Sequence, residues 1–391
     1  MYSVVSTAIV RGIESLEVFV EADVSDGMPL FDMVGFLGSE VKEARERVRT
    51  AIRNLGYALP AKRITVNLSP ADVRKSGSSF DLAIAVSVLA ALGAIRCERI
   101  DEMLIAGEVT LNGALLPIEG ALPMADKAKQ MGKSACILPY QNAQEASLAG
   151  GIKIYGMKSL GQVVRFLNGE EEVAEYVRKT GKKEREYGVD FSEISGQQFL
   201  KRACEVAVSG RHNILMIGPP GAGKTMAAKR LPTILPPLTA KEQLEISKIY
   251  SVSGMLRERE ALVEERPFRS PHHTITAQGL LGGGRYPKPG EISFAHGGVL
   301  FLDELTEFEK STIEVLRQPL EERRVEITRF FGTYSYPADI LLAAAMNPCA
   351  CGYYPDRNKC ACSDSVIRHY LKKVSQPFLD RIDICVEAPR L

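Results

Sequence analysis

The stretch Gly218-Pro219-Pro220-Gly221-Ala222-Gly223-Lys224-Thr225 constrains this chain more than any other, because it follows the apolar run Asn213 to Ile217 and precedes a helical pattern. It fits G-x-x-x-x-G-K-[ST] in a strand–loop–helix setting. Glycines let backbone N–H groups turn inward around phosphate oxygens, and the N-terminus of the following helix adds partial positive charge. Lys224 is then expected to reach the β- and γ-phosphates of ATP, and Thr225 to offer its hydroxyl to Mg²⁺. Gly218, Pro219, Pro220, Gly221, Ala222 and Gly223 form the cradle.

A second half of the same site is legible at Val299-Leu300-Phe301-Leu302-Asp303-Glu304. Four apolar residues predict a buried strand that presents Asp303 at its C-terminal edge, where open α/β sheets bind ligands. Asp303 is expected to hold the Mg²⁺ shell, and Glu304 to polarise the attacking water. A third strand, Ile340 to Ala345, ends at Met346-Asn347, and Asn347 is expected to orient that water.

With Phe378-Leu379-Asp380-Arg381-Ile382-Asp383, these segments resemble an AAA+ ATPase of the helix-2-insert clade. The likeness sharpens across Arg266 to Thr274, Gly282-Gly283-Gly284 and Gly290 to Gly298. Together with the N-terminal half, it is similar to the magnesium-chelatase-like family of the ComM/YifB type, over essentially the whole chain. The resemblance implies a homo-hexameric ring that uses ATP to move along single-stranded or branched DNA, in recombination or natural transformation. It also implies that Arg381 serves as an arginine finger on a neighbouring subunit's ATP, completing a catalytic set with Glu304 and Asn347. Similar proteins continue into a helical lid. The sequence stops at Leu391, so it is expected to lack that lid and to hydrolyse ATP weakly. Ile194, Gly196 and Gln197 are expected near the adenine.

The residues themselves say less about DNA. Net charge is only +1, so nucleic-acid contact has to come from a local loop. Arg323 to Gly332 predicts a β-hairpin in which Arg329 and Phe330 combine phosphate contact with stacking. Arg285-Tyr286-Pro287-Lys288 is a second candidate loop; either could equally be a solvated turn. His272 and His273 carry no assigned role. Cys349, Cys351, Cys360 and Cys362 form two C-x-C pairs at a density that suits tetrahedral Zn²⁺ in a closed structural site, with reduced thiols or an iron–sulfur role as alternatives.

Upstream, residues 1–168 read as an α+β unit with a mixed sheet, 169–189 as a charged linker, and 190–391 as the α/β ATPase domain. Strands are expected at Leu16–Val24 and Arg63–Leu68, an amphipathic helix at Glu40–Leu55, a buried helix at Phe80–Leu92 and a hairpin turn at Asn112-Gly113. This unit resembles the proteolytic domain of Lon proteases through Lys75-Ser76-Gly77-Ser78-Ser79 and Leu116 to Leu122. The resemblance places Ser79 at the nucleophile and Leu122 where the catalytic lysine belongs. Leucine cannot deprotonate a serine, so an inactive protease fold used for ring assembly is expected. A chelatase-type motor acting on a metal-insertion partner and an ATP-dependent protease stay open as alternatives. No run of about 18 apolar residues occurs and no basic region precedes an apolar block at the N-terminus, which predicts a cytoplasmic chain without membrane contact.

Overall fold

The computed structural model describes residues 1–177, 188–258, 263–330 and 332–390. The chain divides into two compact units: Met1–Gly181 with Tyr250–Leu262, and Lys182–Ile249 with Val263–Leu391. The centre of the expected charged linker, 178–187, lies outside the described residues.

The first unit is built on a seven-stranded mixed sheet. Its strands are β1 (Tyr2–Arg11), β2 (Glu14–Ser25), β3 (Leu30–Val34), β4 (Arg63–Ser69), β5 (Met103–Ile105), β8 (Ala135–Pro139) and β9 (Lys153–Met157), in the order β3-β4-β2-β1-β5-β8-β9. A separate two-stranded ribbon, β6 (Glu108–Val109) with β7 (Leu115–Leu116), closes over the Asn112-Gly113 turn that the sequence predicts. β2 alternates as expected, Val18, Val20 and Ala22 inward and Phe19 outward. β1 escapes sequence reading because Val5 to Ala8 are buried without alternation, as befits a central strand covered on both faces.

The helix Ser39–Asn54 buries Val41, Ala44, Val48, Ala51 and Ile52 on one stripe. The helix Asp81–Ala91 is buried almost all round. Its first residue, Asp81, is fully buried and takes a bidentate pair from Arg47 at 2.8 and 2.9 Å, which fixes the two helices against each other.

Tyr250–Leu262, which the sequence reading places inside 190–391, clusters with this first unit. Ser251 accepts through its carbonyl from Gly120 N at 3.1 Å and donates its hydroxyl to the buried carboxylate of Glu145.

The second unit carries a five-stranded parallel sheet in the order β11-β14-β17-β10-β18. Its members are β10 (Ile214–Ile217), β11 (Phe268–Arg269), β14 (Val299–Leu302), β17 (Leu341–Met346) and β18 (Ile384–Glu387). Two short ribbons complete the unit: β12 (Gly282–Gly283) with β13 (Lys288–Pro289), and β15 (Arg324–Arg329) with β16 (Gly332–Pro337). All six residues of β17 are buried, and Ile217 is in register with Met346 while Leu302 is in register with Ala344. The residues that follow β10, β14 and β17 therefore emerge together along one sheet edge. Among the described residues, no helix is long and apolar enough to cross a membrane.

Candidate functional site

That shared edge gathers the residues the sequence singles out. Gly218 to Gly223 leave β10 as a loop, and Lys224 opens the helix Lys224–Ile234. Gly223 caps this helix at φ +86°, in the left-handed region where a side chain is strained, so the turn into the helix depends on glycine. The loop residues Pro220 to Thr225 line a cavity of about 450 Å³ with Asp303, Glu304, Met346 and Asn347.

Lys224 is buried, and its ammonium donates to the carbonyls of Gly218 at 2.6 Å and Pro219 at 3.0 Å and to Asn347 Oδ1 at 3.3 Å. Desolvation holds its pKa below the ordinary lysine value, with Asp303 pulling the other way. All three acceptors are neutral oxygens, so a positive charge lies beside an open cavity with no carboxylate hydrogen-bonded to it, an arrangement that suits an anion such as phosphate. Thr225 donates its hydroxyl to Asp303 Oδ2 at 2.7 Å. A hydroxyl and a carboxylate at that separation are the hard oxygen donors Mg²⁺ takes, the remaining positions going to water and phosphate.

Glu304 follows Asp303 with φ +51°, and its backbone N–H donates to Asp303 Oδ1 at 3.0 Å. A non-glycine residue in the left-handed region costs free energy, and such residues concentrate where geometry serves a site. Its carboxylate is 63% exposed and faces the cavity, with His273 Nδ1 at 4.0 Å. His273 stacks on His272, centroids 4.1 Å apart, and meets Phe308 edge-on. Sequence reasoning leaves both histidines unassigned; the Arg266–Thr274 segment is the only signal that points to them.

Arg381 is not brought to this cavity. It follows the short helix Gln376–Leu379, pairs with Glu321, and lines a separate hollow with Glu314, Arg317 and Gln318. Its Nε is buried without a hydrogen-bond partner, and its carbonyl accepts from Asn213 Nδ2 at 2.8 Å. Within one chain, then, Arg381 and the phosphate loop line different hollows.

Of the residues expected near adenine, Ile194 is 5% exposed and packs in the core with Ala222 and Leu231. Gln197 sits at φ +50° and donates through Nε2 to the carbonyls of Ala222 at 3.1 Å and Pro389 at 2.5 Å, while its Oε1 is buried without a partner. Gly196, at φ +62°, precedes it. Gln197 thus ties the back of the phosphate loop to the strand end after β18.

Beyond Asn347 the four cysteines converge. Their sulfurs all lie within 4.8 Å of one another, Cys349 and Cys360 buried and Cys351 and Cys362 half-buried, and all four are free thiols. The β15–β16 hairpin carries Phe330 at its tip, 94% exposed, and Arg329 donates from Nε to Gly284 O at 3.2 Å, joining the hairpin to the glycine turn between β12 and β13. Arg285 and Lys288 on that turn are exposed.

In the first unit Ser79 is half-buried and Leu122 fully buried, the Leu122 N–H donating to Glu145 Oε1 at 3.4 Å.

Comparison with known proteins gives a consistent picture. Residues 190–391 match the family described as magnesium chelatase, subunit ChlI, and residues 20–142 match the family described as subunit ChlI of Mg-chelatase. The competence protein ComM of Haemophilus influenzae is 42% identical over 389 residues, covering 97% of this chain and 75% of that protein. The uncharacterized protein YifB of Escherichia coli K12 is 41% identical over 387 residues, covering 99% of this chain and 76% of that protein. A shorter match, 32% identical over 128 residues, links 32% of this chain to 22% of Lon protease 2 of Bacillus subtilis.

Proposed function

Because the chain belongs to the magnesium-chelatase ChlI-like family, in its ComM/YifB-type branch, we propose that it is an ATP-driven motor acting on DNA. The family is one of AAA+ ATPases, and here a Lon-like unit accompanies the ATPase unit. The observation that carries the nucleotide reading is the meeting of Lys224, Thr225, Asp303, Glu304 and Asn347 around one cavity at the tips of three parallel strands.

In this reading the loop amides and the Lys224 ammonium bind the triphosphate, exchanging the ammonium's carbonyl contacts for phosphate oxygens. Thr225 and Asp303 hold Mg²⁺, whose charge neutralises the phosphates. Glu304 takes a proton from the attacking water, which Asn347 orients. Arg381 of an adjacent subunit stabilises the charge that develops at the γ-phosphate, which requires the chain to assemble as a ring, a hexamer in this reading. The separation of Arg381 from its own chain's cavity supports action in trans.

For DNA, support comes from the hairpin tip, where exposed Phe330 offers a stacking face, and from Arg329 clasping the turn that presents Arg285 and Lys288. Cations beside an aromatic platform suit a single strand without sequence preference. That one relative is called a competence protein agrees with this reading.

The test is ATP turnover with and without branched DNA. Turnover is expected to rise with DNA, to lose that rise in Arg329→Ala, and to vanish in Glu304→Gln with or without DNA. Stimulation by a porphyrin but not by DNA would move the reading to a chelatase-type motor.

A further inference from the structure

We propose that Cys349, Cys351, Cys360 and Cys362 hold one Zn²⁺ ion and that this ion sets the shape of the adjoining phosphate loop, so that nucleotide affinity depends on zinc. The second half of the proposal rests on the nucleotide reading above; the first does not.

The sulfur geometry fits the ion. Tetrahedral zinc with Zn–S bonds near 2.3 Å places its sulfurs about 3.8 Å apart. Cys349 Sγ lies 3.4 Å from Cys351 Sγ and 3.7 Å from Cys360 Sγ. A disulfide would need about 2.05 Å. The surrounding packing also asks for a metal. The buried apolar residues of this segment are Cys349, Cys360 and Ile367, with Cys351, Tyr353 and Cys362 partly buried against them. Four of those six are thiols, so the apolar core of the loop is small once the thiols are discounted, and the exposed Arg357–Asp364 pair is left as its main side-chain tie. Metal coordination supplies folding free energy where a core is too small to do so. Four thiolates close the coordination shell, which leaves the ion no open position for chemistry.

The loop so fixed leans on the phosphate loop. Gly352, inside the cluster, has φ +82° and donates its N–H to Cys349 O at 3.0 Å. A Cβ at Gly352 would fall 2.6 Å from Pro220 Cδ and 3.8 Å from Asn347 Cγ. The cysteine loop therefore touches the cradle directly, on a face where even a methyl group does not fit. Asn347, two residues before Cys349, accepts from the Lys224 ammonium. On the other side Ala350 lines a hollow of about 220 Å³ with Glu304, Asn347 and Tyr370. Releasing the sulfurs would free both the strut behind Pro220 and the anchor that follows Asn347.

The experiment uses the purified chain in reducing buffer. Metal analysis is expected to find about one zinc per chain, and cobalt exchange to give the absorption of a tetrahedral thiolate site. A fluorescent ATP analogue is titrated into the native chain, the chain stripped by a mercurial and a chelator, and the chain reloaded with Zn²⁺. Stripping is expected to weaken affinity about tenfold or more and reloading to restore it. Gly352→Ala supplies an arm that leaves the ligands in place: it should keep its zinc, yet bind the analogue about tenfold more weakly whatever the zinc concentration. A chain without zinc and without the cobalt spectrum overturns the metal site. Unchanged affinity in both the stripped chain and zinc-loaded Gly352→Ala overturns the coupling. A zinc-loaded native chain that takes up no nucleotide removes the ATPase reading and the coupling with it, and leaves the metal site standing.

Discussion

Lys224 in the second unit and Lys75 in the first are both buried lysines whose charged form is disfavoured by desolvation, each partly offset by one nearby aspartate, Asp303 or Asp72. Their surroundings differ. Lys224 stands at the mouth of a cavity, bonded to neutral oxygens that a phosphate can replace. Lys75 is fully buried and donates to the carbonyl of Pro70, while its own backbone joins the chain at Phe36 and Gly38. In the first unit the ammonium is spent inside the protein, on a carbonyl of its own loop; in the second it waits beside open space. A lysine's role follows from what can approach it, and the packing around Lys75 leaves no room for a ligand to displace its bond to Pro70.

If chemistry resides only in the second unit, removing its charged groups should change turnover by orders of magnitude while matching changes in the first should not. After the loss already expected for Glu304→Gln, the largest effect is expected from Arg381→Ala, a loss of about 10³–10⁵ in ATP turnover by the assembled protein. Ser79→Ala should leave turnover unchanged. Nucleotide affinity in Arg381→Ala should stay close to normal, because the arginine lies away from its own chain's cavity. An unaltered turnover in Arg381→Ala would break the in-trans assignment. The two lysines make the next test. Lys224→Met forfeits hydrogen bonds to a charged ligand and should weaken binding of an ATP analogue roughly 10–100-fold. Lys75→Met should not change it, and equal losses in both variants would mean that the two lysines do not differ as their surroundings imply.

The two units were also unequally legible. The phosphate loop, Asp303 and Asn347 can be read because each is a short local signal at the end of an apolar strand, and parallel pairing then forces the three ends together. Helices 39–54 and 81–91 follow from periodicity and from uninterrupted apolar character. What escapes depends on partners distant in sequence. β1 does not alternate because both its faces are covered. His273 meets Glu304 across 31 positions, a pairing that no local pattern encodes. Gly352 looks like any turn glycine until Pro220 is seen against it. Tyr250–Leu262 joins the first unit through Ser251, whose partner Glu145 lies 106 positions earlier.

The smallest expected effect is the pH dependence of Lys75. Its folded pKa is lowered from the ordinary 10.5 by burial, so between the folded and unfolded values the unfolded chain binds more protons. Stability contributed by this group must then rise as pH rises through that window, and level off above it. Lys75→Met loses the bond to Pro70, a cost, and escapes the desolvation of an ammonium, a gain, so the two terms oppose at neutral pH. The variant has no proton to release. Comparing urea midpoints of the two proteins from pH 7.5 to about 10 should therefore show the difference shifting in favour of the wild type as pH rises. A difference that stays flat would mean the ammonium is no more desolvated folded than unfolded, and the contrast with Lys224 would then rest on access alone.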